Sequence, residues 1–108
     1  MYTGFITTSL GKTTHRVAYN KTELLPIGGA MSWGHLYQSS YNTALTVLMH
    51  AFGNRKKAER LARRFRREVV SELYFDCSWS MSQEEIQRWA TNSNASFIPS
   101  VTHAKQGT

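Results

Sequence analysis

Polar and apolar positions alternate over the first twenty residues in a pattern typical of β-strands. Residues 2–9 are rich in Thr, Ile, Phe and Tyr, and residues 13–19 place Val17 and Tyr19 in alternation with polar side chains. The segment between them, residues 10–12, contributes the glycine that a tight reversal favours. We therefore predict a β-hairpin, with residues 20–25 as a candidate third strand that ends before Pro26.

A helical pattern follows over residues 41–52. Positions 41, 44, 45, 48 and 52 share one face at a period of 3.6, and further apolar residues spread around the rest of the helix. A helix that is apolar on most sides is usually buried at the centre of a domain. Ser39 or Ser40 is the expected N-cap, and Gly53 is expected to end the helix.

The strongest periodic signal lies just downstream and predicts a second helix over residues 55–74. Asn54 is its expected N-cap. Its apolar positions keep helical spacing over about four turns and predict a single buried face: Ala58, Leu61, Ala62, Phe65, Val69 and Leu73.

The sequence Ser82-Gln83-Glu84-Glu85 matches a capping box and predicts a short third helix over residues 83–91. Its expected inward residues are Ile86, Trp89 and Ala90. Residues 76–81 are interpreted as a turn that buries Trp79. Together these patterns predict one α+β domain over residues 1–91, with an antiparallel sheet of two or three strands packed on three helices. Residues 92–108 are polar and are expected to form a flexible tail.

Composition narrows the class of protein. The 108 residues carry a formal net charge of +6 and a single cysteine, Cys77, which excludes an intramolecular disulfide. No apolar stretch approaches the ~20 residues of a membrane helix. The N-terminal residues lack the basic and apolar regions of a signal peptide. We expect a cytoplasmic protein with no membrane association.

Basic residues concentrate on the second helix. Eight of the 13 lie between positions 55 and 67, where only Glu59 has the opposite charge. Such a block is typical of a polyanion-binding surface, and arginine suits phosphate and carboxylate groups. A solvated helix face is the alternative. Positions 56, 60, 63 and 67 are assigned to one flank, with 57 and 64 opposite the core. The predicted binding residues are Arg55, Lys56, Lys57, Arg60, Arg63, Arg64 and Arg67.

Sequence-specific reading of bases has less support. The junction at Gly53-Asn54 is short enough for a helix-turn-helix. However, the exposed positions in the first half of the second helix are nearly all cationic, without the amide side chains that read base edges. Phosphate contacts along nucleic acid, or contact with an acidic protein surface, are therefore favoured.

Catalytic and metal chemistry find little support in the residue pattern. The four histidines are scattered, none pairs at the spacing of a helical metal site, and Cys77 stands alone beside Asp76. A metal-independent nuclease would pair His15 or His35 with a cation of the second helix, and it would need two histidines to converge in space. We expect no enzyme activity, no catalytic residues, no metal and no cofactor.

The segment Trp33-Gly34-His35-Leu36-Tyr37 is aromatic and contains glycine. It either forms a binding lip, with Trp33, His35 and Tyr37 as contacts, or fills the seam between the hairpin and the helices. Exposed aromatic residues between positions 33 and 41 would also supply a patch for a homodimer.

Several of these positions resemble a family of small uncharacterised proteins found in bacteria and on their phages and plasmids. The resemblance covers residues 2–90 and is carried by Trp33-Gly34, Ala44-Leu45, Leu48, Gly53, Ala58, Leu61, Phe65, Val69-Val70, Leu73, Trp79, Met81, Glu85-Ile86 and Trp89. The middle of that family typically reads Trp-Gly-Tyr-Gly-Gly-Ser-Gly-Pro. The present chain keeps Trp33-Gly34 and changes the six residues that follow.

The resemblance implies an accessory protein of a mobile genetic element and transfers no catalytic residue. The first functional hypothesis is a non-enzymatic module that engages nucleic acid through the basic helix. The alternative is an inhibitor of a host defence complex, such as a CRISPR effector, that docks on an acidic or nucleic-acid-binding surface.

Overall fold

A computed structural model describes residues 1–91 and the backbone of residues 100–102. The strands are β1 (Tyr2–Ser9), β2 (Lys12–Tyr19), β3 (Thr22–Glu23), β4 (Ser78–Met81) and β5 (Ser100–Thr102). The helices are α1 (Gln38–Phe52), α2 (Arg55–Glu68) and α3 (Gln83–Thr91), with a 3₁₀ turn at Val70–Glu72. The α+β class and the three helices are confirmed.

The sheet is larger than predicted. Its strand order is β3-β2-β1-β4-β5, and every neighbouring pair is antiparallel. The prediction of two or three strands was wrong because β4 had been interpreted as a turn and β5 falls within the predicted tail. The rest of that tail, residues 92–99 and 103–108, lies outside the described residues, so its flexibility stays a prediction.

The hairpin forms as its sequence predicts. Leu10 and Gly11 both have positive φ, 53° and 77°, which matches the two-residue turn that suits the twist of a hairpin. The register places Gly4 opposite Val17 on one side and opposite Trp79 on the other. A Cβ on Gly4 would lie 2.1 Å from the Trp79 indole, so the absence of a side chain lets that ring cross the strand.

One core joins the sheet to the helices. Buried side chains of β1, β2 and β4 that lie on one face of the sheet share an apolar cluster with α1 and with the inner faces of α2 and α3. The largest fully buried side chains are Trp33, Trp79, Trp89, Tyr2 and Phe65. The buried central role predicted for α1 agrees with its contacts, since nine of its fifteen residues are buried.

Two predicted helix boundaries needed correction. The N-cap of α1 is Tyr37 rather than Ser39 or Ser40. The second helix ends at Glu68 rather than Tyr74. Val69 leaves helical geometry, and the Val70 carbonyl accepts the backbone N–H of Gly34 at 3.0 Å and that of Leu73 at 3.3 Å. The 3₁₀ turn therefore keeps both Val69 and Val70 in the core, which one continuous helical face would not do.

The capping predictions for the other helix ends are confirmed. Gly53 ends α1 in the left-handed conformation with φ 63°, and its N–H bonds the Met49 carbonyl. Ser82 and Glu85 form the capping box of α3: the Glu85 N–H donates to the Ser82 hydroxyl, and the Ser82 N–H donates to the Glu85 carboxylate.

Candidate functional site

The basic helix α2 is fixed at its start and along its inner face. Its N-cap Asn54 accepts the Lys57 N–H at 2.9 Å, and Ala58, Ala62 and Phe65 are fully buried. These contacts hold the opposite side of the helix towards solvent. That side carries four exposed cations, Lys56, Arg60, Arg63 and Arg67, which we call the outer stripe.

The predicted orientation of α2 was wrong: Lys57 and Arg64 were expected opposite the core, and the outer stripe was expected on a flank. The outer stripe points away from the core, whereas Lys57 and Arg64 lie on the flank and are half-buried. Their charges rest on aromatic rings, with the Lys57 ammonium 4.4 Å from the centroid of Phe52 and the Arg64 guanidinium 4.4 Å from that of Trp89. Lys57 and Arg64 therefore contribute to packing between helices.

Some cations of α2 form ion pairs with acidic residues of the same helix, and others do not. Arg55 binds Glu59 at 2.9 Å, and Glu68 binds both Arg64 at 3.2 Å and Arg67 at 3.6 Å. Among the described residues, Lys56, Arg60 and Arg63 have no ion-pair partner. Of the seven predicted binding residues, these three are therefore both exposed and uncompensated.

Glu68 is the most engaged of the acidic residues. Its carboxylate also accepts the Trp89 indole N–H at 3.0 Å. Burial raises the pKa of this carboxyl, but the Trp89 hydrogen bond and the charges of Arg64 and Arg67 outweigh it and hold the pKa below its usual value. Glu68 is therefore ionised at neutral pH and partly neutralises the positive charge of Arg64 and Arg67 at the end of α2.

A small recess adjoins the outer stripe where α2 meets the start of α1. Its volume is about 390 Å³, and it is lined by Gln38, Tyr41, Arg63 and Arg66. The Arg66 guanidinium lies 5.6 Å from the Tyr41 ring centroid, and its buried Nε has no hydrogen-bond partner within the described part of the chain. The predicted site omitted Arg66, although the residue belonged to the charge block.

A larger cavity lies elsewhere, between the hairpin and the segment that leads into α1. This hairpin cleft has a volume of about 860 Å³. Its apolar and aromatic wall includes Ile6, His15, Met31, His35, Tyr37 and Phe75, and its polar groups include Thr8, Thr13, Ser39, Asp76 and Ser78. Sequence reasoning missed this cleft because its walls come from four separate segments.

The three predicted loop contacts, Trp33, His35 and Tyr37, differ in how far they are buried. Trp33 is fully buried, donates its indole N–H to the Cys77 carbonyl at 3.0 Å and packs edge-on against Trp79, so it lies in the core rather than at the surface. Tyr37 is 74% exposed, and its ring centroid lies 4.7 Å from that of His35. A contact role therefore remains for His35 and Tyr37.

Gly34 fixes the position of this loop. Its φ is +87°, and a Cβ there would lie 2.8 Å from both the Leu73 carbonyl oxygen and the Phe75 nitrogen. Only glycine allows this conformation and this close backbone approach together. The loop is consequently held against residues 73–75, of which Phe75 lines the cleft.

His35 is the centre of a hydroxyl network. Its Nδ1 accepts the Tyr37 N–H at 3.2 Å and the Ser40 hydroxyl at 2.9 Å. In the neutral ring the proton must therefore lie on Nε2, which donates to the Ser32 hydroxyl at 2.7 Å. Burial and the nearby His15 lower the pKa of His35, so the neutral ring is favoured. Both nitrogens are engaged, and neither is available as a general base unless a bond breaks.

The convergence of His15 and His35 required by the nuclease alternative does occur, since both line the hairpin cleft. His15 is buried, and its Nε2 donates to the Phe75 carbonyl at 2.7 Å. Its ring packs edge-on against Trp33 with centroids 4.5 Å apart. These contacts give both histidines structural roles in the wall of the cleft.

Neither a metal-binding cluster nor a membrane-spanning helix is found among the described residues. Within residues 1–91, no group of three or more His, Cys, Asp or Glu side chains is placed to hold a metal ion. None of the helices described is long and apolar enough to cross a membrane.

Comparison with known proteins identifies the family. The model of a family of unknown function, DUF6166, matches residues 5–92, so the chain belongs to that family. No curated protein and no solved structure matches the chain.

Proposed function

We propose that this DUF6166 protein is a non-enzymatic binding module that engages nucleic acid as a polyanion through the outer stripe of α2. The observation that carries the proposal is the presence of Lys56, Arg60 and Arg63 side by side, exposed and without an ion-pair partner among the described residues. Glu59 and Glu68 bind other cations of the same helix and leave these three uncompensated.

The geometry of the stripe suits a charged strand. From Lys56 to Arg67 it extends about 17 Å along a helix that rises 1.5 Å per residue. A nucleic acid presents a regular row of phosphates over such a length, and each neutralised phosphate releases counterions. Three of the four stripe residues are arginines, whose planar guanidinium groups bind phosphate oxygens in pairs.

The recess beside the stripe provides a place for one phosphate. Arg63 belongs to both, and Arg66 adds a guanidinium that binds no carboxylate within residues 1–91. The first turn of α1, which supplies Gln38 and Tyr41, contains no acidic residue. An anion in this recess would meet two arginines and two neutral hydrogen-bonding side chains.

Fluorescence anisotropy with labelled duplex DNA, single-stranded DNA and RNA over a series of salt concentrations tests the proposal. We expect log K to fall linearly with log salt, and the double variant Arg60→Gln/Arg63→Gln to reduce the slope on duplex DNA by about 2. The matched control, Lys12→Gln/Lys21→Gln, removes the same charge from exposed positions of the sheet region and should leave the slope unchanged.

The absence of binding to all three nucleic acids at low salt would overturn the proposal. If the purified chain instead forms a stoichiometric complex with an acidic protein after nuclease treatment, and this complex depends on the outer stripe, the inhibitor alternative replaces the proposal. Action inside a bacterial cytoplasm, as an accessory protein of a phage or plasmid, completes the proposal. It predicts that nucleic acid is recovered with the protein from such a cell, whereas recovery of a host defence complex that survives nuclease treatment would favour the inhibitor alternative.

A further inference from the structure

The hairpin cleft plays no part in the polyanion proposal, although its volume of about 860 Å³ is more than twice that of the recess beside the outer stripe. We propose that it holds an unpaired base of a single-stranded nucleic acid whose backbone follows the outer stripe. This inference rests on the proposed function and names the class of nucleic acid that the protein binds.

The chemistry of the cleft favours a planar, uncharged group. Two of its rings are largely open to solvent, with Tyr37 exposed by 74% and Phe75 by 52%. His35 lies close to both rings, at centroid distances of 4.7 Å and 5.9 Å. Aromatic side chains grouped in this way stack with bases, and every base offers a π-face.

Charge argues against a phosphate in the cleft itself. Its lining contains the carboxylate of Asp76 and no lysine or arginine. Burial and the nearby His15 lower the pKa of His35 and so favour the uncharged ring. The geometry agrees, because Nδ1 accepts two hydrogen bonds and must therefore carry no proton. The hydroxyl and carboxylate groups of the lining are the kinds of side chain that bind the edge of an unstacked base.

Position connects the cleft to the basic surface. Tyr37 lines the cleft, whereas the next residue, Gln38, lines the recess with Arg63 and Arg66. Consecutive Cα atoms are only ~3.8 Å apart, so the linings of the two cavities meet at the start of α1. A phosphate in the recess and a base in the cleft would therefore belong to neighbouring parts of one strand.

A comparison of two probes of equal charge tests this inference. The first is a 12-nucleotide oligothymidylate, and the second is a 12-unit phosphodiester oligomer of abasic sugars. We expect the wild-type protein to bind the oligothymidylate about 10-fold more tightly, since stacking on aromatic side chains contributes on that scale. Duplex DNA, whose bases are paired, should bind like the abasic oligomer when compared per phosphate.

Variants of the rings localise the effect. Tyr37→Ala and Phe75→Leu should each reduce the preference for oligothymidylate severalfold while they leave the salt slope unchanged. Tyr74→Ala is the matched control, because Tyr74 is a neighbouring exposed ring that does not line the cleft. Thermal melts of each variant establish that the domain is folded at the temperature of the assay.

The outcomes separate the two proposals. Equal binding of both probes, abolished by Arg60→Gln/Arg63→Gln, would overturn the base site and leave the polyanion function intact. Failure to bind either probe at low salt would overturn both. Unchanged preference in folded Tyr37→Ala and Phe75→Leu variants would also exclude the cleft as the base site.

Discussion

The indole N–H of Trp89 donates a hydrogen bond to the Glu68 carboxylate at 3.0 Å, and this bond ties α3 to the end of α2. Arg64 covers the same indole ring and pairs with the same carboxylate. The cluster of these three side chains joins the basic helix to the rest of the domain. It also sets how much of the positive charge of α2 remains free.

Removal of the carboxylate should therefore destabilise the domain. We expect Glu68→Ala to lower the free energy of unfolding by about 1–3 kcal/mol, because it leaves the Trp89 N–H without its acceptor. Glu68→Gln keeps an acceptor oxygen and should cost less than about 1 kcal/mol at pH 7. Urea denaturation of both variants measures the difference, and equal losses would contradict the assigned role of the hydrogen bond.

The same cluster predicts a dependence on pH. Because the pKa of Glu68 is lowered in the folded state, its ionised form contributes stability above the ordinary glutamate pKa. That contribution is lost as the pH falls through the folded value. The stability difference between the wild type and Glu68→Gln should therefore disappear in acid, and denaturation curves from pH 7 to pH 3 test this.

Glu68 should also limit binding of polyanions. Glu68→Gln releases Arg64 and Arg67 from their shared partner, and Arg67 belongs to the outer stripe. We expect tighter binding of nucleic acid and a steeper salt dependence, by up to about one charge. Glu23→Gln, which releases Arg16 in the sheet, is the matched control and should leave the salt slope unchanged.

Gly4 lies between Val17 and Trp79 in neighbouring strands, and a side chain at this position is expected to clash with the Trp79 ring. Gly4→Ala places a Cβ 2.1 Å from the Trp79 ring, and we expect a loss of about 1–3 kcal/mol or more in the free energy of unfolding. In a Trp79→Leu background the same substitution should cost much less. A double-mutant cycle by chemical denaturation measures this coupling, and additive losses would refute the proposed clash.

Alanine substitutions at Gly34 and Gly11 distinguish the cost of a steric clash with neighbouring backbone from the cost of a positive φ. Both have positive φ, but a Cβ on Gly11 meets no atom within 4 Å, whereas one on Gly34 meets two backbone atoms at 2.8 Å. Gly11→Ala should cost about 1 kcal/mol from strain. Gly34→Ala should cost clearly more, and similar melting temperatures for the two variants would contradict this reading of the loop.

The network around His35 predicts a second, independent pH effect. Its lowered pKa means that the folded protein binds fewer protons than the unfolded chain as the pH falls below the ordinary histidine value of about 6.5. The free energy of unfolding should thus be constant above that pH and fall below it, down through the folded pKa. An NMR titration should give His35 a lower pKa in the wild type than in Ser40→Ala, which removes one hydroxyl donor to Nδ1.

Local patterns predicted most of the fold. The hairpin turn, the Asn54 cap and the Ser82–Glu85 capping box depend on residues close in sequence, and all three form as expected. The strand β4 carried a usable signal, since Ser78-Trp79-Ser80-Met81 alternates with a period of two. The interpretation of that segment as a turn overlooked the alternation.

The candidate site was less predictable because it depends on distant contacts. The charge block identified α2, but only the tertiary structure shows that Arg64 rests on Trp89 while Arg60 and Arg63 remain uncompensated. His15 and His35 both line the cleft because the loop that carries His35 is held in place by a hydrogen bond from the Gly34 N–H to the Val70 carbonyl. No periodicity in the sequence reports such a contact.

The central place of β1 in the sheet has a consequence for biosynthesis. One partner, β2, follows it after a two-residue turn, but the other, β4, is translated only after α1 and α2. A nascent chain that has just emerged from the ribosome therefore carries a hairpin with one open edge, which is a template for pairing with other chains. The edge of β1 is covered only when β4, which contains Trp79 and Met81, has been synthesised and pairs with it. Chains that end before β4 should therefore aggregate more readily than chains that contain it.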